Sequence, residues 1–330
     1  MKLDISGRSV LVTGSDGFIG SHLVERLVRE GARVRCFVLY NSLGTKGWLD
    51  SCSEEVVAEL EIFPGDVRDA RRVSEAVKEQ DLVFHLASLI AIPYSYIAPE
   101  SYVQTNIGGA LNVLNACRDH GVSKLIHTST SEVYGTAVYT PIDESHPLQA
   151  QSPYSASKIG ADMLARSYHD SFGLPVVIAR PFNTYGPRQS ARSVIPTIIS
   201  QLLSGAEFLR LGSLLPIRDF NFVADTVAGL LHLSTVEACG EVINLGSGRE
   251  IAIGELARMI MSLVDREVEI VMDEDRLRPE ASEVDRLLCD GSKARQFGWE
   301  PLYSLEQGLG ETVLWMRENT GRYEPDLYAV

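Results

Sequence analysis

The sequence predicts an α/β protein, a doubly wound parallel sheet followed by a smaller α/β lobe at the carboxyl end. Three observations carry that expectation. Short apolar runs alternate with stretches of helical spacing through the first half of the chain. The links between them are short, as in a sheet covered by helices on both faces. The first run also opens directly into a glycine-rich turn, Gly14-Ser15-Asp16-Gly17-Phe18-Ile19-Gly20.

Ser9–Thr13 reads as a fully buried strand, and the apolar helical pattern after the glycines stops at Gly31. The G-x-x-G-x-x-G spacing permits a tight turn and close approach of a pyrophosphate, and the helix start supplies N–H donors. A dinucleotide is therefore expected here. Arg33–Leu39 is the second strand. A ribose-binding carboxylate belongs near its end, but the chain continues Tyr40-Asn41-Ser42, with Lys46 a little beyond. Two readings follow: NADP is not rejected, or Asn41 or Ser42 bonds the ribose of NAD.

Glu61–Pro64 is the third strand, leading to Asp66-Val67 and a helix through about Lys78. Leu82–Leu86 is the fourth, followed by Ala87 and Ser88. Tyr102–His120 reads as one long helix, Leu125–Thr130 as the fifth strand and Val176–Ala179 as the next. From there the regular alternation gives way to a helix at Ile195–Leu203, a loop with Arg218-Asp219, a short strand at Val242–Leu245 and a charged segment around Arg278. The expected division is a dinucleotide-binding domain over 1–186 and a second lobe over 187–330, with some strand and helix exchanged between them. That lobe closes on the carboxyl ends of the strands, where open α/β sheets bind ligands.

The stretch from Thr128 to Lys158 carries the chemistry. A strand ends in Thr128-Ser129-Thr130-Ser131-Glu132, and after a loop the run from Tyr154 has helical spacing. Tyr154 and Lys158 then share one helix face. An ammonium held there favours the phenolate and lowers the tyrosine's pKa from its usual value of about 10. Thr130 completes a hydrogen-bonded trio around a substrate hydroxyl.

Composition excludes other classes. The net charge of −14 argues against a nucleic-acid surface, and no apolar run approaches the length of a membrane span. The first residues enter a strand pattern at once, without the pattern of a signal peptide. Five scattered cysteines without a C-x-x-C pair fit reduced thiols in a cytoplasm, and neither they nor the seven histidines have metal-ligand spacing.

The glycine-rich turn, Asp66-Val67, the Thr130 strand end, Tyr154-x-x-x-Lys158 and the run Arg180-Pro181-Phe182-Asn183-Thr184-Tyr185-Gly186-Pro187 follow one another in order. With them the chain resembles the extended short-chain dehydrogenase/reductases over nearly its whole length. Within that superfamily it is similar to the nucleotide-sugar 4,6-dehydratases. These include the GDP-mannose enzymes and those that feed legionaminic acid synthesis from GDP- or UDP-linked N-acetylglucosamine. The resemblance implies a Rossmann-type fold and assigns roles. Gly14, Gly17, Phe18, Ile19 and Gly20 would hold the pyrophosphate of a tightly bound NAD or NADP that is recycled in each turnover. Tyr40, Asn41 and Ser42 would lie at its ribose, Asp66 and Val67 at the adenine, and Leu86, Ala87 and Ser88 along the path to the nicotinamide. Tyr154 would take the proton of the sugar's 4-hydroxyl, supported by Thr130 and Lys158, the lysine also bonding the nicotinamide ribose. Asn183, Ser193, Val194, Arg218 and Arg278 would grip the substrate's diphosphate.

Glu132 discriminates among the relatives. Epimerases that oxidise C4 and return the hydride need no second base, whereas elimination across C5 and C6 does. The dTDP-glucose enzymes carry Asp-Glu after the threonine; this chain has Ser131-Glu132, as the GDP-mannose enzymes do. Glu132 would then serve as base and acid, with Ser131 orienting the leaving hydroxyl or a water. Competing readings are a UDP-glucuronate decarboxylase, against which Ser152-Pro153 stands where an arginine is common, a 4-epimerase, and a redox-sensing dinucleotide binder. Tyr102–Cys117 and Tyr154–Ser171 are apolar on more than one face. The resemblance implies that these helices build a four-helix bundle in a homodimer.

Overall fold

The structure is a computed structural model, and it describes residues 5–324. Strand and helix alternate first as β1 (Ser9–Thr13), α1 (Phe18–Arg29), β2 (Arg33–Leu39), α2 (Glu54–Ala58), β3 (Leu60–Gly65), α3 (Ala70–Val77) and β4 (Leu82–His85). Next come α4 (Ile92–Ile97), α5 (Pro99–Tyr102), α6 (Gly109–His120), β5 (Lys124–Thr128), α7 (Pro153–Phe172) and β6 (Val176–Pro181). The second half holds β7 (Asn183–Tyr185), α8 (Val194–Ser204), β8 (Phe208–Leu211), β9 (Ile217–Phe222), α9 (Val223–Thr235) and β10 (Val242–Leu245). It ends with β11 (Glu250–Ala252), α10 (Ile253–Val264), β12 (Glu269–Met272), α11 (Ser292–Gln296) and α12 (Leu305–Glu318).

Seven strands form one sheet in the order β3-β2-β1-β4-β5-β6-β10, and every pair in it is parallel. Its strands are apolar on both faces because helices cover both. Val10, Val12, Phe84 and Ile126 pack with Leu23 and Leu27 of α1 and Leu230 of α9. Leu11, Val83 and Leu125 point the other way, onto Val73 of α3, Val113 of α6 and Ala165 of α7. The strand order reverses between β1 and β4, and the crevice at their carboxyl ends is where such a sheet receives a ligand.

Three features differ from the sequence reading. Arg218 and Asp219, expected in a loop, lie within β9 and pair with β11; two adjacent charges break the apolar run by which a strand is recognised in sequence. The expected single helix Tyr102–His120 is α5 and α6 joined by a π-helical turn at Val103–Gly108. That turn draws Asn106 inward to the loop after β4, a shift that periodicity alone does not reveal. The chain also returns to the large sheet late: β10 pairs with β6 in register Val242↔Ile178, so the sheet takes a strand from beyond residue 187. The remaining strands form the small groups β11-β9-β7 and β12-β8. A buried ion pair ties the halves together, Arg188 to Glu25 of α1 at 3.1 Å.

Among the described residues no helix is long and apolar enough to cross a membrane, and no group of His, Cys, Asp and Glu is arranged to hold a metal.

Candidate active site

The glycine-rich turn makes a cradle of bare backbone. Gly14 has φ +69°, and a Cβ there would stand 2.8 Å from the Ala87 nitrogen. A Cβ at Gly20 would fall 2.1 Å from the Gly14 carbonyl oxygen. No side chain caps α1 and its first turn has no acid, so the N–H groups around Phe18 and Ile19 are left for an anion. The residues present therefore fit the pyrophosphate of a dinucleotide. The Thr13 hydroxyl accepts from the Leu86 and Ala87 N–H groups at 3.2 Å each and shares a hydrogen bond with His85 Nδ1 at 2.8 Å. This fixes the path after β4. Asn106 holds the next step: its Oδ1 accepts from Leu89 N at 2.8 Å and Ser88 Oγ at 3.1 Å, while its Nδ2 donates to Leu89 O and to Ser157 Oγ of α7, both at 2.9 Å.

The catalytic candidates converge from β5 and α7. Pro153 begins α7, and Ser152 and Ser155 cap it reciprocally, each hydroxyl accepting the other's backbone N–H. Tyr154 is thereby fixed in the first turn and Lys158 one turn on. Both are buried. Thr130 hydrogen-bonds Tyr154 through its side chain, and its Oγ1 accepts from Glu132 N at 3.2 Å. Ser131 is buried and Glu132 half-buried in the short turn Ser131–Tyr134. The Glu132 carboxylate acts electrostatically on both Tyr154 and Arg218, so it is within electrostatic reach of each.

One expectation needs correction. The Tyr154 phenol is pushed up, not down: burial dominates, the Thr130 bond works against it, and the negative Glu132 adds to it. Lys158 is lowered to about 8 by burial, with Asp162 opposing, and its ammonium donates to the Thr128 carbonyl at 2.7 Å. Desolvation thus outweighs the expected support of the phenolate by the lysine.

Beneath the pair lies a buried polar network that the sequence reading missed. Asp162, one turn beyond Lys158, accepts from Ser129 Oγ at 2.8 Å and from Arg180 Nε and NH2 at 3.1 and 3.0 Å. Arg180 NH1 donates to the Tyr134 hydroxyl at 3.0 Å, which donates to Asn244 Oδ1 at 2.7 Å. His127 and His85 complete the layer, both held neutral chiefly by burial.

On the lobe side, Arg218 and Arg278 meet at one carboxylate, Glu283 Oε1, at 3.1 and 3.7 Å. Asn183 Nδ2 reaches the Asp219 carbonyl at 3.5 Å. Ser193 stands at the start of α8 without capping it, and Val194 opens the helix. The adjoining Arg192 acts electrostatically on Tyr102, whose ring meets that of Tyr154 edge-on at 6.2 Å. Arg218 and Arg278 thus come together at one carboxylate, and Glu132 is within electrostatic reach of Arg218. Glu283 was not anticipated, because nothing in its spacing marks it.

At the adenosine end, Asp66 ends the β3 path with its carboxylate engaged by Arg68, and Val67 packs against Gly109. Tyr40 is exposed, and so is Ser42. Asn41 bonds its own loop instead of offering a free side chain: Nδ2 donates to Thr45 O at 2.9 Å and Oδ1 accepts from Leu43 N at 3.1 Å. Nor is the corner without an acid, as the sequence reading had it. Asp16 Oδ2 accepts from Leu39 N at 3.2 Å, which brings a carboxylate from the glycine-rich turn to the end of β2.

Known proteins are similar to this chain over nearly its whole length. The family model described as GDP-mannose 4,6 dehydratase matches residues 11–312. A dTDP-glucose 4,6-dehydratase of Streptomyces antibioticus is 32% identical over 322 residues, covering 96% of this chain and 95% of that protein. The low-salt glycan biosynthesis protein Agl12 of Haloferax volcanii is 34% identical over 310 residues, covering 92% and 97%. Among solved structures, a double mutant of the Streptomyces venezuelae dTDP-glucose 4,6-dehydratase with NAD bound superposes with a TM-score of 0.85 at 32% identity, covering 96% of this chain and 99% of the other. A UDP-N-acetylglucosamine 4-epimerase from Methanobrevibacter ruminantium gives 0.85 at 31%, covering 95% and 99%. Glycine cradle, Tyr154–Lys158 pair and facing arginines thus stand in a chain matched over nearly its whole length, and the protein belongs to the GDP-mannose 4,6-dehydratase family.

Proposed function

We propose that the protein is a nucleotide-sugar 4,6-dehydratase that converts an NDP-hexose, GDP- or UDP-N-acetylglucosamine, to its 4-keto-6-deoxy product. The observation that supports this is Glu132, a half-buried carboxylate in the turn after β5 and within electrostatic reach of both Tyr154 and Arg218. An enzyme that only inverts C4 has no use for a second base there.

The steps follow from the residues. Arg218 and Arg278 exchange the Glu283 carboxylate for the substrate diphosphate, with Asn183 and the Ser193–Val194 turn beside them. Tyr154, in its phenolate form, takes the proton of the 4-hydroxyl as C4 is oxidised, and Thr130 stands beside the phenol oxygen and favours that form. Gly14, Gly17 and Gly20 would hold a dinucleotide whose nicotinamide would supply the hydride acceptor for C4 and the donor for C6, and NAD or NADP would stay tightly bound and be recycled. The 4-ketone acidifies the C5 hydrogen. Glu132 removes it as a proton and passes that proton to the departing C6 hydroxyl, which leaves as water while Ser131 orients it. A proton then returns to C5, balancing the one left on Tyr154.

The lobe division at 186/187, with β10 and α9 lent to the large sheet, is part of this reading, since substrate and cofactor groups then come from opposite sides. A cytoplasmic enzyme fits the five free cysteines. A homodimer through the helices α6 and α7 fits the exposed apolar side chains Val103, on the π-helical turn that leads into α6, and Met163 on α7.

A 4-epimerase is the second reading, supported by the fold shared with the M. ruminantium enzyme. Mass spectrometry after incubation with GDP-, UDP- and dTDP-hexoses decides. Loss of one water from an N-acetylglucosamine nucleotide is the expected result. An isomer of unchanged mass from every substrate would replace the dehydratase by the epimerase, and loss of CO2 from UDP-glucuronate by the decarboxylase.

A further inference from the structure

We infer that Asp16, a residue of the glycine-rich turn and not of β2, is the group that makes this protein select NAD over NADP. In a sheet of this type the adenosine ribose lies at the end of the second strand. A carboxylate there accepts from the ribose hydroxyls and repels a 2′-phosphate. Leu39 ends β2, and Tyr40, Asn41 and Ser42 after it carry no acid. The Asp16 carboxylate occupies that place from the neighbouring turn, with Oδ2 on Leu39 N at 3.2 Å.

The residue is held there. Its carbonyl accepts from Trp48 N at 2.9 Å, and a Cβ at Gly47 would stand 2.4 Å from that same oxygen. The segment after Lys46 therefore lies directly on Asp16. A carboxylate offers about four lone-pair positions, so one backbone bond leaves acceptors for a ribose. Asn41, beside it, is committed to its own loop.

The cations of the adjoining strand do not provide a phosphate site. Arg68 is engaged by Asp66. Arg72 donates to Pro64 O and Glu75 and lies 3.6 Å over the Phe63 ring. Lys46, next to Gly47, is the cation that opposes the inference, and the test includes it.

This inference rests on dinucleotide binding alone and not on the sugar chemistry. Calorimetric titration of the nucleotide-stripped full-length protein with NAD and with NADP tests it. Wild type should bind NAD about 100-fold more tightly, the scale of a carboxylate facing a phosphate near a protein surface. Asp16→Asn keeps an amide oxygen for Leu39 N and removes the charge. It should cut that ratio by about 10-fold or more, chiefly through tighter NADP binding. Asp16→Ser, with a smaller acceptor, carries the same test should the asparagine variant not fold. Equal affinities in wild type, an unchanged ratio in the folded variants, or a ratio that moves only in Lys46→Ala would each overturn the assignment. Failure of wild type to bind either nucleotide would instead remove the dinucleotide reading beneath it.

Discussion

Burial moves Tyr154 and Lys158 in opposite directions, raising the phenol and lowering the ammonium to about 8. Each shift favours the neutral form. The lysine's charge is full below about 8 and is lost as pH rises through it, so kcat/KM should fall on the alkaline side of that value. The groups facing Lys158 are Tyr154 and Asp162 on its own helix, His127 on β5 and His85 on β4. Only Asp162 opposes the loss of charge, because both histidines are neutral. Lys158→Arg should abolish that alkaline fall; a limb that stays in place would assign it elsewhere. Tyr154→Phe should retain cofactor and lose roughly 10²–10⁴-fold in turnover, measured by product formation at saturating sugar nucleotide. These residues were legible because Tyr154, Lys158, Thr130 and Glu132 sit on local periodic segments. Asp16 and Glu283 were not, since each acts on an element distant in sequence. The direction of the tyrosine's shift was misread for a related reason: spacing shows who stands beside a group, not how dry the place is.

At the level of elements, the layer beneath the site is a buried ion pair, Asp162 with Arg180, at 0% and 3% side-chain exposure. Removing one partner leaves the other charged and dry. Asp162→Asn should therefore cost about 3–5 kcal/mol in denaturant unfolding. Asp162→Asn combined with Arg180→Met should cost less than the sum of the single changes; strict additivity would mean the pair is not coupled. The strands of the large sheet were readable to within a residue or two, because burial on both faces leaves continuous apolar runs such as Val10-Leu11-Val12. The short strands of the small groups, β9 with Arg218-Asp219 among them, were not. The π-helical turn was not, since Val103–Gly108 keeps helical composition while adding a residue to one turn. Its consequence is chemical, for it turns Asn106 toward Ser88, Leu89 and Ser157.

On the scale of the whole molecule, the order of strands puts the glycine cradle, the Ser88 loop, Thr130 and Asn183 at neighbouring carboxyl ends of the sheet. The second half of the chain then covers them with Arg218 and Arg278. The late return of β10 to the sheet was hidden because a four-residue apolar run does not name its neighbours. The dimer belongs to this scale too. Val103, on the π-helical turn leading into α6, and Met163 of α7 are 53% and 48% exposed, and a partner's matching face would cover them. Met163→Lys should shift sedimentation from dimer to monomer; a wild-type protein that sediments as a monomer would remove the proposal.

The central claim is that Glu132 removes the C5 proton. In D2O the wild-type enzyme should place deuterium at C5 of a 4-keto-6-deoxy product. Glu132→Gln keeps the side-chain shape and has no base, so it should stop at the 4-keto sugar with reduced nicotinamide accumulating. Mass spectrometry and NMR of the sugar, with absorbance of the cofactor, read both in one incubation. Deuterated 4-keto-6-deoxy product from Glu132→Gln at close to the wild-type rate would contradict the account.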